Sequence, residues 1–396
     1  MKVLEYACEQ TLSPSGGPSG YLYNVACEAK RRGDDTICFL GLSRRRRAMG
    51  MLEKLSPAIA RLVARNIKGE GDYEKSTIED IRYAFRCSSD KSIRDFNDYD
   101  AVHFHTTRDL FSCKAALEKY HGKVILTSHS PCVSYREVID DCIAHGIYER
   151  NKSLIDSCER MDEFAFSRAD EVIFPSPGAE EPYYHTWDKY PKVRDTLSLR
   201  YLETGTLKAV PKRTREEVRR SLGIPDDAFV ISFTGRHNDM KGYDFLADVF
   251  PRLGDVYVVC CGKLSDAIPA PRSERWIEIG WTDDPHSYVS ASDLFVLPNK
   301  ETYFDLALLQ TLSIGKPCLI SATGGNKGFA NLEDAGIYLY ETEENFVNRL
   351  RAIRAIPTAA VYELEDAQRR LFTQKYSMEV FFDSYLRILS DIVDDD

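Results

Sequence analysis

"FTGRHNDMKGYDFL", residues 233–246, joins the end of an apolar run to the start of an amphipathic one. The run that leads into it, Val230–Gly235, reads as a strand. Arg236 follows at the strand's carboxyl end, and Lys241 and Gly242 come just before a helix. In open α/β sheets, ligands collect at the carboxyl ends of strands. An arginine fork and a lysine point charge at that place make a clamp for a diphosphate. In an arbitrary loop the same two residues would only be solvated charges.

The same strand–loop–helix grammar runs through the rest of the chain. Candidate strands on the amino-terminal side are Lys2–Ala7, Thr36–Gly41, Ala101–His105, Val124–His129 and Glu171–Pro175. After Val230–Gly235 come Val256–Gly262, Trp276–Gly280, Leu294–Pro298, Pro317–Ala322 and Gly336–Tyr340. These runs are rich in Val, Ile and Phe and lack strict alternation, which suits parallel strands covered on both faces. Two series of β–α units predict an α/β chain of two doubly wound domains, with a ligand cleft between them. The periodicity breaks at "ETGTLKAVPKRT", 203–214, which reads as the linker. The expected division is a domain over 1–205, a second over 206–375, and a final helical segment over 376–396 that packs back on the first.

The bulk composition narrows the class. A chain of 396 residues is too long for one core. A formal charge of −10 argues against general nucleic-acid binding. Eleven cysteines occur with no CxxC pair. Several sit inside apolar runs (Cys38, Cys260, Cys261, Cys318), so they read as reduced, buried thiols of a cytoplasmic protein. "MKVLEYACEQ" is too short and polar for a signal peptide. No apolar run approaches the roughly 20 residues that span a membrane.

"GRHNDMKGYDFL" resembles the signature of retaining glycosyltransferases of family four (glycosyl transferases group 1), which have the two-domain GT-B fold. Other stretches fall in that family's order: "SPSGGPSGYLYNVACEAKRRGDD" (13–35), "YDAVHFHTT" (99–107), "VILTSHSP" (124–131), "IEIGWTDDPHSYVSASDLFVLPN" (277–299) and "SIGKPCLISATGGNKG" (313–328). The resemblance implies that Arg236 and Lys241 bind the diphosphate of a nucleotide-sugar. It implies that Gly16 and Gly17 let the backbone approach the donor, and that His129 contacts the donor sugar. His105 and Thr106 fall on the acceptor side, and His103 on the same strand reads as structural. There is no DxD motif at a strand's carboxyl end: "DYD" at 98–100 precedes a strand and "DDD" closes the tail. The expectation is therefore no metal and no cofactor, with the diphosphate offset by Arg236, Lys241 and a helix N-terminus.

"ETYFDLALLQTLSIGKPC", 301–318, departs from the family pattern of E-x-F-G-L-x-x-x-E. Gln310 falls at the second glutamate, Thr302 at the first, and Asp305 at the glycine, while Phe304 and Leu306 match. Gln310 keeps an acceptor oxygen for a ribose hydroxyl. Glu301 and Asp305 compete to hold the sugar's hydroxyls, with an N-cap as the plainer role for Asp305.

A second feature is "SRRRRAMGMLEKLSPAIARLVARNIKG", 43–69. Arg44, Arg45, Arg46, Arg47, Lys54, Arg61, Arg65 and Lys68 face one acid, Glu53, on an amphipathic pattern. It reads as an element for an anionic membrane surface, or as a solvated basic face. The expected activity is retaining transfer of a hexose from a nucleotide-sugar, a UDP-sugar favoured, to a glycan or lipid-linked acceptor in polysaccharide synthesis. Two rivals are a nucleotide-sugar epimerase or phosphorylase on the same architecture, and a nucleotide-sugar binder weakened at Gln310.

Overall fold

The computed structural model describes residues 1–6, 12–14, 17–40, 70–89, 95–263 and 268–395. The chain forms two compact units. The first comprises Met1–Phe174, Tyr183–Leu202 and Ser384–Asp396; the second comprises Pro175–Pro182 and Glu203–Asp383. The segment 43–69, with Arg44–Arg47, Lys54, Arg61 and Arg65, lies outside the described residues, as does Gly16.

The first unit is built on a six-stranded parallel sheet in the order β2-β1-β3-β4-β5-β6. Its strands are β1 (Val3–Tyr6), β2 (Ile37–Leu40), β3 (Ala101–Phe104), β4 (Lys123–Leu126), β5 (Glu171–Phe174) and β6 (Leu199–Tyr201). Every residue of β1, β3 and β5 is buried, as expected of strands covered on both faces. The edge strand β6 was not anticipated. It has only three residues, with an arginine in the middle, so it carries no apolar run to read.

The second unit holds another six-stranded parallel sheet, in the order β12-β11-β10-β7-β8-β9. Its strands are β7 (Val230–Thr234), β8 (Tyr257–Cys261), β9 (Trp276–Gly280), β10 (Leu294–Leu297), β11 (Cys318–Ser321) and β12 (Ile337–Tyr340). Counted within the unit, this is the 3-2-1-4-5-6 order of Rossmann-like domains. The order reverses between β7 and β10. In the first sheet it reverses between β1 and β3. Those switch points open a crevice at the strands' carboxyl ends.

The helices that matter below are α1 (Gly17–Arg32), α2 (Thr107–Ser112), α3 (Tyr243–Val249), α4 (Pro285–Ala291), α5 (Leu306–Ile314) and α6 (Met378–Asp394). The stretch 203–214 is not a loose linker. Thr206 pairs with Ser377 as a parallel bridge, and the Ala209 N–H donates to Ser313 Oγ at 2.9 Å. The described cysteines are free thiols. Cys260, Cys261 and Cys318 are buried as expected, whereas Cys38, on the edge strand β2, is only half-buried. Among the described residues, no helix is long and apolar enough to cross a membrane.

Candidate active site

In the second unit, the loops after β7 and β10 meet at the switch point. Arg236 stands exposed two residues beyond β7. Lys241, further along the same loop, extends its Nζ to Asp305 Oδ2 at 2.5 Å. Asp305 is the residue just ahead of α5, and its Oδ1 accepts from the Ala307 N–H at 3.2 Å. The carboxylate is thus an N-cap and an ion-pair partner together. Burial works to raise its pKa, but Lys241, Asn299 and the Ala307 N–H outweigh burial and hold it below the usual carboxylate range.

Asn299, two residues beyond β10, completes this corner. Its amide donates to Asp305 Oδ2 at 3.1 Å and to Thr302 Oγ1 at 2.7 Å. The strand-end rule that found Arg236 also points to Asn299, which motif matching passed over. Glycines bring the loops together. Gly242 has φ +65°, and a Cβ there would lie 1.8 Å from the Pro298 carbonyl oxygen. The Lys300 N–H donates across to the Met240 carbonyl at 3.0 Å.

Below Arg236, His237 is almost fully buried and stacks on Tyr243, with ring centroids 4.2 Å apart. Glu278 gathers this cluster by accepting from Tyr243 Oη at 2.6 Å and Trp276 Nε1 at 2.5 Å. The loop that carries Arg236 and Lys241 is therefore anchored at both ends to the sheet.

Other residues expected at a donor sit differently. Thr302 and Leu306 are buried. Phe304 packs on Phe329 at 5.5 Å. Thr302 and Leu306 therefore turn their side chains into the unit, and Phe304 packs its ring there. Glu301 is half-buried on the same loop. Gln310 lies beside His286 of α4, whose pKa burial holds below its ordinary value.

In the first unit, α1 begins at Gly17, which takes φ +69°. Thr106 caps α2 by accepting from the Asp109 N–H at 3.0 Å. His129, three residues beyond β4, has φ +57°, a conformation that costs a non-glycine residue of order 1 kcal/mol and concentrates at functional sites. Its ring lies 4.6 Å from that of Tyr21 on α1.

His105 was expected on the acceptor side but is completely buried. Its Nδ1 is 2.8 Å from His129 Nε2, and its Nε2 is 2.5 Å from Glu5 Oε2. Both of its nitrogens are thus committed inside the unit. His103 bonds Tyr385 of α6 through Nδ1 at 2.6 Å and Thr127 through Nε2 at 2.9 Å. Tyr385 in turn donates to Glu5 Oε1. Glu5 was missed, although a carboxylate inside the run "VLEY" was a signal, because such residues are rarely buried unless paired. Glu5, His103 and His105 also present ligand-type atoms within 4.8 Å of one another, the spacing a metal ion would need.

Comparison with known proteins sets these corners in context. A family model described as Glycosyltransferase Family 4 matches residues 15–183, and one described as Glycosyl transferases group 1 matches 228–355. The chain is 25% identical over 236 residues to the lipopolysaccharide core biosynthesis glycosyltransferase LpsE of Rhizobium meliloti, covering 57% of this chain and 65% of that protein. It is 27% identical over 144 residues to an Escherichia coli enzyme, UDP-Gal:alpha-D-GlcNAc-diphosphoundecaprenol alpha-1,3-galactosyltransferase, covering 33% of this chain and 37% of that one. The matched stretch thus spans under two thirds of the length of either relative. The fold is shared with sucrose-phosphate synthase from Thermosynechococcus elongatus, with a TM-score of 0.65 at 15% identity, over 99% of this chain and 98% of that one.

Proposed function

Because this chain belongs to the family-four, group 1 glycosyltransferases, we propose that it transfers a hexose from a UDP-sugar to a hydroxyl of a lipid-linked glycan, with retention of configuration. The observation that carries this reading is the corner at the β7/β10 switch point. There Arg236 stands at a strand end, and Lys241 is held by Asp305 at the N-terminus of α5. A helix N-terminus with two flanking cations is suited to a diphosphate. The likeness to a UDP-galactose-using transferase with a diphosphoundecaprenol acceptor supports the choice of donor and acceptor class.

In this reading, Arg236 and Lys241 grip the diphosphate, and His129 meets the sugar. The bond from the anomeric carbon to the phosphate oxygen breaks as the acceptor oxygen bonds to that carbon from the same face. The acceptor's proton passes to the departing phosphate oxygen. Catalysis is mainly positioning and stabilisation of the leaving group's charge. Arg236, Lys241 and the α5 N-terminus offset that charge without a metal ion.

The test begins with a thermal-shift screen of nucleotide-sugars, since a bound donor raises the melting temperature by mass action. With the best donor, Arg236→Ala should lower transfer at least about a hundredfold, the scale of losing one charge-stabilising donor. Its melting temperature without ligand should stay unchanged. Full transfer by a folded Arg236→Ala protein would sink the clamp.

A further inference from the structure

Six side chains of the first unit, five of them buried and His129 half-buried, form one continuous chain of hydrogen bonds. It runs from His129 through His105, Glu5 and Tyr385 to His103, and closes on Thr127. Glu5 and His103 are direct neighbours across β1 and β3, at the point where the sheet order reverses. Each link takes one proton, so with the rings neutral and Glu5 ionised the direction of every bond is set.

We infer that Glu5, acting through His105, decides which ring nitrogen of His129 carries the proton, holding it on Nε2 and leaving Nδ1 as a hydrogen-bond acceptor. As a carboxylate, Glu5 accepts from His105 Nε2–H and from the Tyr385 hydroxyl. A neutral His105 protonated on Nε2 has only a lone pair on Nδ1, so the 2.8 Å contact requires His129 Nε2–H to donate. Tyr385 then accepts from His103 Nδ1–H, and His103 Nε2 accepts from the Thr127 hydroxyl.

Burial makes tautomer the only freedom left to these rings. It pushes His105 down to about 3, and burial likewise holds His103 and His129 below their ordinary values. Burial raises the Glu5 carboxyl, while His103 and the Tyr385 hydroxyl bond oppose that rise. The left-handed backbone of His129 fits a ring held for a purpose, since that strain needs support from its surroundings. A metal ion bound by Glu5, His103 and His105 would have to break into the 2.5 Å contact between Glu5 and His105 and displace Tyr385 from His103. The network is complete without one.

The consequence for function rests on the reading that His129 meets the donor sugar. An acceptor at Nδ1 makes the bound sugar hydroxyl the donor of that bond, so its oxygen is left to accept from another group. Glu5 is then a positioning residue, 100 positions away from the histidine it directly orients.

Nitrogen-15 NMR of the full-length protein distinguishes the two tautomers. His129 in the unaltered chain should show the Nε2–H form, and an Nδ1–H form there would overturn the inference even if no variant folds. Glu5→Met keeps volume but removes the acceptor. His105 should then move its proton to Nδ1, and His129 should reverse. An unchanged His129 in folded Glu5→Met would also overturn it. Affinity for UDP-glucose should fall about tenfold in Glu5→Met, the scale of one lost hydrogen bond, while affinity for UDP stays constant. A reversed tautomer with unchanged UDP-glucose affinity would refute the positioning role. Unchanged UDP-glucose affinity in His129→Ala would instead refute the reading that His129 meets the sugar. One zinc per chain, retained through dialysis and found by elemental analysis, would assign the cluster to a metal and overturn the inference.

Discussion

At the scale of single residues, charge placement decides most of the behaviour. His103 has no exposure and stays neutral in the folded chain, because burial and the neighbouring His105 hold its pKa well below 6.5. The unfolded chain protonates the same residue near its ordinary value. Stability from this group is therefore present above about pH 6.5 and is lost as the pH falls below it. His103→Gln can still bond Tyr385 and Thr127 but takes up no proton. Its urea-unfolding stability should fall less steeply between about pH 6 and 5, by about 1.4 kcal/mol per pH unit. An identical slope in both proteins would mean that His103 is not held neutral. Single residues were also where the sequence was hardest to read. Arg236 and Lys241 announced themselves by standing after an apolar run. Glu5 did not, because its partners at 105 and 385 are distant in the chain and only folding brings them together.

At the scale of elements, loops pinned by glycine do the positioning. Gly242 precedes α3, adopts a left-handed conformation and lies against the carbonyl of Pro298. Gly242→Ala meets both obstacles, backbone strain and collision with a fixed carbonyl. It should cost about 2 kcal/mol or more in unfolding free energy. It should also push Lys241 away from Asp305, so affinity for the nucleotide portion of the donor should drop in the same variant. Full stability in Gly242→Ala would show that the loop relaxes freely. Sequence patterns served well here. Continuous Val, Ile and Phe runs marked the strands within one residue at each end, except that Val124–His129 ran three residues past the end of β4, since strands buried on both faces need such runs. They failed at Leu199–Tyr201, an edge strand with little to bury. The glutamine at 310 looked like a substitution in a ribose-binding position. Its neighbour His286 belongs to the next helix back in the unit and left no mark in the motif.

At the scale of the whole molecule, each unit carries its polar corner where its sheet order reverses, so topology alone nominates both corners. What topology does not supply is Tyr385. Replacing it with phenylalanine leaves Glu5 and His103 buried without the hydroxyl between them, and should cost about 1–3 kcal/mol. Urea unfolding of Tyr385→Phe checks this, and a loss below a few tenths of a kcal/mol would show that the two side chains re-pair directly.

Residues 384–396 belong to the first unit although they are the last thirteen of the sequence. Asp395 accepts from Arg200 at 2.5 Å, and its carbonyl accepts from Lys123. Domains generally fold in order as a chain leaves the ribosome. All six strands of the first sheet have been made once Tyr201 appears, yet Glu5 and His103 must wait for the hydroxyl that joins them until residue 385 is translated. The unit made first is therefore the one finished last, and a translating chain carries the second unit complete before the His129 corner has taken its final form.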